Sequence, residues 1–121
     1  MGAKYYNSLE DKNAQKIIKS LTKTKVLTAS DNVESILGEA ILWGVGNCLV
    51  ATDKELVFFQ NNPNLQKARY PYKGISSVAV EQKGIGTPKL ILTIGVKNIV
   101  LNLIGGQNDI QEMYSFIESK L

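Results

Sequence analysis

Cys48-Leu49-Val50-Ala51-Thr52-Asp53-Lys54-Glu55-Leu56-Val57-Phe58-Phe59 is a pair of short apolar runs hinged on a polar dipeptide. Both runs have strand length and are rich in β-branched and aromatic side chains, which suit a pleated, half-buried surface. Asp53-Lys54 supplies turn chemistry between them. The stretch predicts strands over residues 48–52 and 55–60.

Working outward, the same pattern repeats. Residues 36–45 read as an earlier strand, broken near Gly44-Val45-Gly46-Asn47, where Gly46-Asn47 is a hairpin signal. Asn61-Asn62-Pro63-Asn64 is a loop. Residues 67–72 form a polar strand containing Pro71; proline has no N–H for a ladder, so this strand belongs at an edge or ends near Pro71. Residues 75–82, 89–94 and 99–103 alternate as further strands, separated by the loop 83–88 and the turn Gly95-Val96-Lys97-Asn98. Residues 109–121 then place Ile110, Met113, Tyr114, Ile117 and Leu121 on one helical stripe. Strand after strand from Leu37 onward, closed by one helix, outlines a small, partly open barrel with a helix plugging one end. The class is α+β, mainly β.

Upstream, residues 8–22 read as an amphipathic helix with Ser8 as N-cap. Ala14, Ile17, Ile18 and Leu21 share one face. Lys12, Lys16, Lys19 and Lys23 form a narrow stripe almost opposite. Residues 24–35 connect this helix to the barrel. The expected organisation is therefore an N-terminal helix and connector, residues 1–30, appended to one domain, residues 31–121. Some 25 residues cannot build a core alone.

The 121 residues suit one domain, with 44% apolar and 21% charged side chains. The net charge of +3 is uneven: residues 1–30 hold six lysines against Glu10 and Asp11, whereas the rest is close to neutral. There is no histidine, so Cys/His zinc sites and histidine acid–base catalysis are excluded by inventory. Cys48 is the sole cysteine, which excludes an internal disulfide and suits a reducing compartment. No apolar run approaches the ~18 residues of a spanning helix, and Met1-Gly2-Ala3-Lys4-Tyr5-Tyr6 has no signal-peptide core. A cytoplasmic location and no cofactor are expected.

The hairpin of residues 48–59 resembles the second and third strands of bacterial pleckstrin-homology-like domains, especially the YokE-like group, with Glu55 where arginine is usual. Tyr70-Pro71-Tyr72-Lys73-Gly74-Ile75-Ser76-Ser77-Val78 is similar to that family's Pro-Tyr-x-x-Ile-x-x-Val segment, and the helix with Met113-Tyr114-Ser115-Phe116-Ile117 fits its end. The resemblance covers residues 35–121. It implies a pleckstrin-homology-like, partly open barrel of about seven antiparallel strands in two near-orthogonal sheets, capped by the C-terminal helix. It implies a binding module and not an enzyme.

Two sets of residues are candidates for binding. Lys12, Lys16, Lys19 and Lys23 can lie on an anionic membrane surface, each lysine contributing about 1 kcal/mol there; the bland reading is a solvated helix face. Lys67 and Arg69, interleaved with Tyr70 and Tyr72, together with Trp43, can anchor a partner; the bland readings are an edge strand guarded by charge and a tryptophan in the core. Pleckstrin domains that bind phosphoinositides generally carry lysine and arginine in the first hairpin loop, and Gly44-Val45-Gly46-Asn47 has neither. The expected function is an interaction module that contacts proteins and self-associates through its barrel edges. A peripheral membrane adaptor is the alternative, and nucleic acid is not the expected partner.

Overall fold

The computed structural model describes residues 2–41, 44–61, 65–82, 84, 86–103 and 105–121. Chain order is β1 (Lys4–Tyr6), α1 (Lys12–Lys23), β2 (Val33–Ile41), β3 (Gly44–Thr52), β4 (Glu55–Asn61), β5 (Leu65–Pro71), β6 (Ser77–Glu81), β7 (Lys89–Ile94), β8 (Lys97–Leu101) and α2 (Gln107–Lys120). All strand pairs are antiparallel. One sheet runs β1-β2-β3-β4-β5 and the other β6-β7-β8, so the two sheets form a barrel that does not close.

The hairpin read first is present, with Val50 opposite Val57 and Ala51 opposite Leu56. Its turn depends on Thr52, whose buried Oγ1 accepts from the Lys54 and Glu55 amides at 3.2 and 3.1 Å and donates to the Glu55 carbonyl at 3.0 Å. A hydroxyl there satisfies backbone groups that the tight turn would otherwise strand. β5 is an edge strand and Pro71 is its last residue, as its missing N–H requires.

Three local expectations are corrected. Gly46-Asn47 does not turn the chain: Ile41 already pairs with Gly44, and both residues lie inside β3, where the register slips between Gly38 and Ala40. The turn-prone pair is absorbed by a bulge, which bends a strand without ending it. Helix α1 is capped by Asp11, not Ser8; the Asp11 carboxylate accepts from the Asn13 and Ala14 amides at 2.8 and 3.3 Å. The last strand stops at Leu101, although Leu103 is buried too. Beyond the expected seven strands, the short β1 pairs Tyr5 with Leu37 along the free side of β2.

The alternation of β2, β3 and β4 sorts their side chains into two cores. Leu37, Leu49, Leu56 and Phe58 face the barrel interior with Leu90, Leu92 and Leu101 and with Ile110, Met113 and Ile117 of α2. Ile36, Val45, Cys48, Val50, Val57 and Phe59 face outward, where Ala14, Ile17 and Leu21 of α1 cover them. The first helix therefore seats on its own barrel. It ends in a Schellman motif: Val26 N–H bonds the Leu21 carbonyl at 2.9 Å and Lys25 N–H the Thr22 carbonyl at 3.1 Å. Lys25 holds the left-handed position (φ 64°) that glycine usually takes.

Candidate functional site

The lysines of α1 project from a helix whose 12 residues include no acid. Lys12, Lys19 and Lys23 are exposed and have no ion-pair partner among the described residues. Lys16 departs from the stripe, because its ammonium donates to the carbonyl of Ile41. The opposite face of α1 is fully committed, with Ala14, Ile17 and Leu21 at 0% exposure. Contact with a membrane through α1 would be electrostatic only, since no apolar stripe remains to enter a bilayer.

On β5 the period of two splits the candidate residues. Lys67 lies opposite Phe59 and Arg69 opposite Val57, on the outer face beside α1. Tyr70 lies opposite Leu56 and packs on the interior core, and Tyr72 joins the same core. Tyr72 donates its hydroxyl to the Thr52 carbonyl at 2.8 Å, and burial pushes its phenol pKa up. The two tyrosines are therefore no stacking platform beside Lys67. Trp43 lies outside the described residues, as do Asn62-Pro63-Asn64, Lys83 and Ile85 from the expected loops.

Arg69 is an internal tie. Its guanidinium donates to both carboxylate oxygens of Asp31 at 3.0 Å, to Glu55 Oε1 at 2.6 Å and to the Val26 carbonyl at 2.7 Å. It thereby pins the α1–β2 connector to the sheet. Sequence reading missed this role because Asp31 and Arg69 are 38 positions apart.

The Arg69 hydrogen bonds hold the Asp31 carboxyl down from 3.8 to about 2. A carboxyl depressed in the folded state stabilises above its unfolded pKa, and this stability is lost as pH falls through the folded value. The pair is partly screened, with side-chain exposures of 35% and 13%, so about 1 kcal/mol is involved. Urea midpoints should hold from pH 7 to 5 and fall between pH 4 and 2. Arg69→Ala should shrink that acid-side loss by about 1 kcal/mol; an unchanged pH profile would refute the tie.

Cys48 is fully buried beneath α1, and desolvation pushes its thiol up to about 12. Only the thiolate is nucleophilic. A disulfide reagent at pH 8 should react with it at least about 100-fold slower in the folded than in the urea-unfolded chain. Equal rates would mean that α1 does not cover it. No group of three or more His, Cys, Asp or Glu able to hold a metal occurs among the described residues. No described helix is long and apolar enough to cross a membrane.

A family model described as "Bacterial PH domain" matches residues 27–119. The chain belongs to the bacterial PH domain family. Among solved structures it is similar to a DUF1696 family protein with a pleckstrin-homology domain from Shewanella loihica PV-4 (16% identity, TM-score 0.60, covering 85% of this chain and 94% of that one). It is also similar to a pleckstrin homology domain from Shewanella amazonensis SB2B (18% identity, TM-score 0.59, covering 93% of this chain and 90% of that one). At such identities these bacterial PH domain structures speak for the fold. No curated protein matches the chain. In this bacterial PH domain the matched region begins at Leu27, so β1 and α1 precede it.

Proposed function

We propose that this bacterial PH domain is a non-catalytic, cytoplasmic interaction module that contacts other proteins and self-associates through a barrel edge. Residues 31–121 form the pleckstrin-homology-like unit, and residues 1–30 are an appended layer that covers the outer face of its larger sheet. The Thr52-Asp53-Lys54 turn and the segment from Tyr70 to Val78 support membership of the YokE-like group. The observation that carries self-association is the β7–β8 hairpin. Val96 at its tip is 100% exposed, Val100 on edge strand β8 is 41% exposed, and Leu121 is the other large hydrophobic exposed among the described residues. An apolar edge with unpaired backbone groups is a template for another strand.

Light scattering on a sizing column tests this. The wild type should elute as a discrete multimer, and Val100→Lys should shift it to monomer with a melting temperature changed by less than about 3 °C. A wild-type monomer at high micromolar concentration would refute the reading.

Lys12, Lys19 and Lys23 favour a second reading, attraction to anionic membrane. In that case the protein would co-elute with phosphatidylserine vesicles at low salt and be released once the Debye length shortens to about 8 Å near 0.15 M.

A further inference from the structure

The outer edge of β5 combines three features that no role described above uses. β5 ends its sheet, and no backbone bond beyond its own ladder engages Gln66–Tyr70 among the described residues. Every second amide and carbonyl there points away from β4 with no strand to receive it. On the outer face beside this edge, Thr24, Val26, Phe59, Gln66 and Lys67 line a recess of about 160 Å³. That is smaller than the roughly 300 Å³ at which small-molecule pockets begin and is of the size of one side chain. Lys67 stands in its wall, and Thr24 at its rim is flanked in sequence by two more exposed lysines, Lys23 and Lys25. None of the three has an ion-pair partner among the described residues, whereas the nearby Asp31 and Glu55 are both spent on Arg69.

We infer that the β5 edge is a docking site for an extended acidic segment of a partner protein, which adds as a sixth strand and sinks one apolar side chain into the recess between Val26 and Phe59. This rests on the protein-contact reading above and names the chemistry of the partner. A strand laid beside β5 sits about 4.8 Å away and turns alternate side chains to the outer face. One of these reaches the recess, and its neighbours two positions away face the lysines. Backbone pairing gives affinity and the pocket gives register. The same lysines oppose a second copy of β5, since like charges directly opposite are unfavourable. The charge that guards this edge against its own kind thus selects an acidic strand. The β1 edge offers no such site, because Asp109 Oδ1 takes the Tyr5 amide at 2.9 Å and Ala3 bridges to Gly105.

The test is selection of a displayed library of random decapeptides on the full chain, followed by fluorescence titration of the enriched peptides as free, blocked molecules. Support is a consensus with net negative charge around one Leu, Ile, Met or Phe, bound at least about 10-fold more weakly by Lys67→Glu and by Lys25→Glu. N-methylation at alternate peptide positions should weaken binding with a period of two, the mark of strand pairing. Peptides that bind but are neutral or basic, or that ignore both substitutions, overturn this site and leave the protein-contact reading standing. No enriched peptide together with a monomeric protein on the sizing column overturns both.

Discussion

Gly38→Ala is expected to cost this domain about 2–3 kcal/mol and to lower its melting temperature by roughly 10 °C. Gly38 lies opposite Cys48 in the β2–β3 ladder. A methyl group on it would stand 2.6 Å from the Cys48 Cβ, 3.3 Å from Ile17 Cδ1 and 3.5 Å from Ile36 Cγ2. The first contact is between atoms fixed to two backbones, so neither can swing aside; the strands must part or α1 must lift. A thermal melt gives the cost. The mechanism is checked by a double-mutant cycle with Cys48→Gly, which frees the space by removing the opposing Cβ. That substitution is itself destabilising, but the pair should lose about 1–2 kcal/mol less than the sum of the single changes. A Gly38→Ala protein within about 0.5 kcal/mol of wild type would show that the ladder yields there without cost.

The second large effect concerns the first 30 residues. Expressed alone, residues 31–121 should fail to give a cooperative melt and should bind a hydrophobic dye. The fragment keeps every strand of the barrel except β1 and retains α2, yet it uncovers the outward row Ile36, Val45, Cys48, Val50, Val57 and Phe59. Burial of Ile17 and Leu21 alone contributes about 3–6 kcal/mol, against the roughly 5–15 kcal/mol that keeps a domain folded. Arg69 would also lose its acceptor at Val26. Adding a synthetic peptide of residues 1–30 should restore part of the transition. A fragment that melts like the whole chain would reduce α1 to decoration of a self-sufficient barrel.

The strands were legible where one physical signal decided them. Two apolar runs of strand length hinged on Asp53-Lys54 fixed β3–β4, and proline fixed the end of β5. The stripe of Ile110, Met113 and Ile117 fixed α2. What was illegible depended on partners far along the chain. β1 has three residues, Lys4-Tyr5-Tyr6, too few for a period. The propensity of Gly46-Asn47 to turn was overruled by pairing with β2. The candidate site fared similarly. A row of lysines can be counted on a helical wheel, and its exposure followed for Lys12, Lys19 and Lys23. Nothing local distinguishes Arg69, consumed by Asp31 and Glu55, from Lys67, two positions away on the same face and without an ion-pair partner among the described residues. The recess beside Lys67 is built from three separate segments, and such a concavity has no linear trace.

The bond from the Tyr5 amide to Asp109 joins positions 104 residues apart. During synthesis, at about 5–20 residues per second, the residues of β1 emerge roughly 5–20 seconds before the carboxylate that holds them. Until then β1, only three residues long, has its ladder with β2 but not this clamp. The seam along the outer side of β2 is therefore the last part of the nascent barrel to be locked, and the start of the final helix is what locks it.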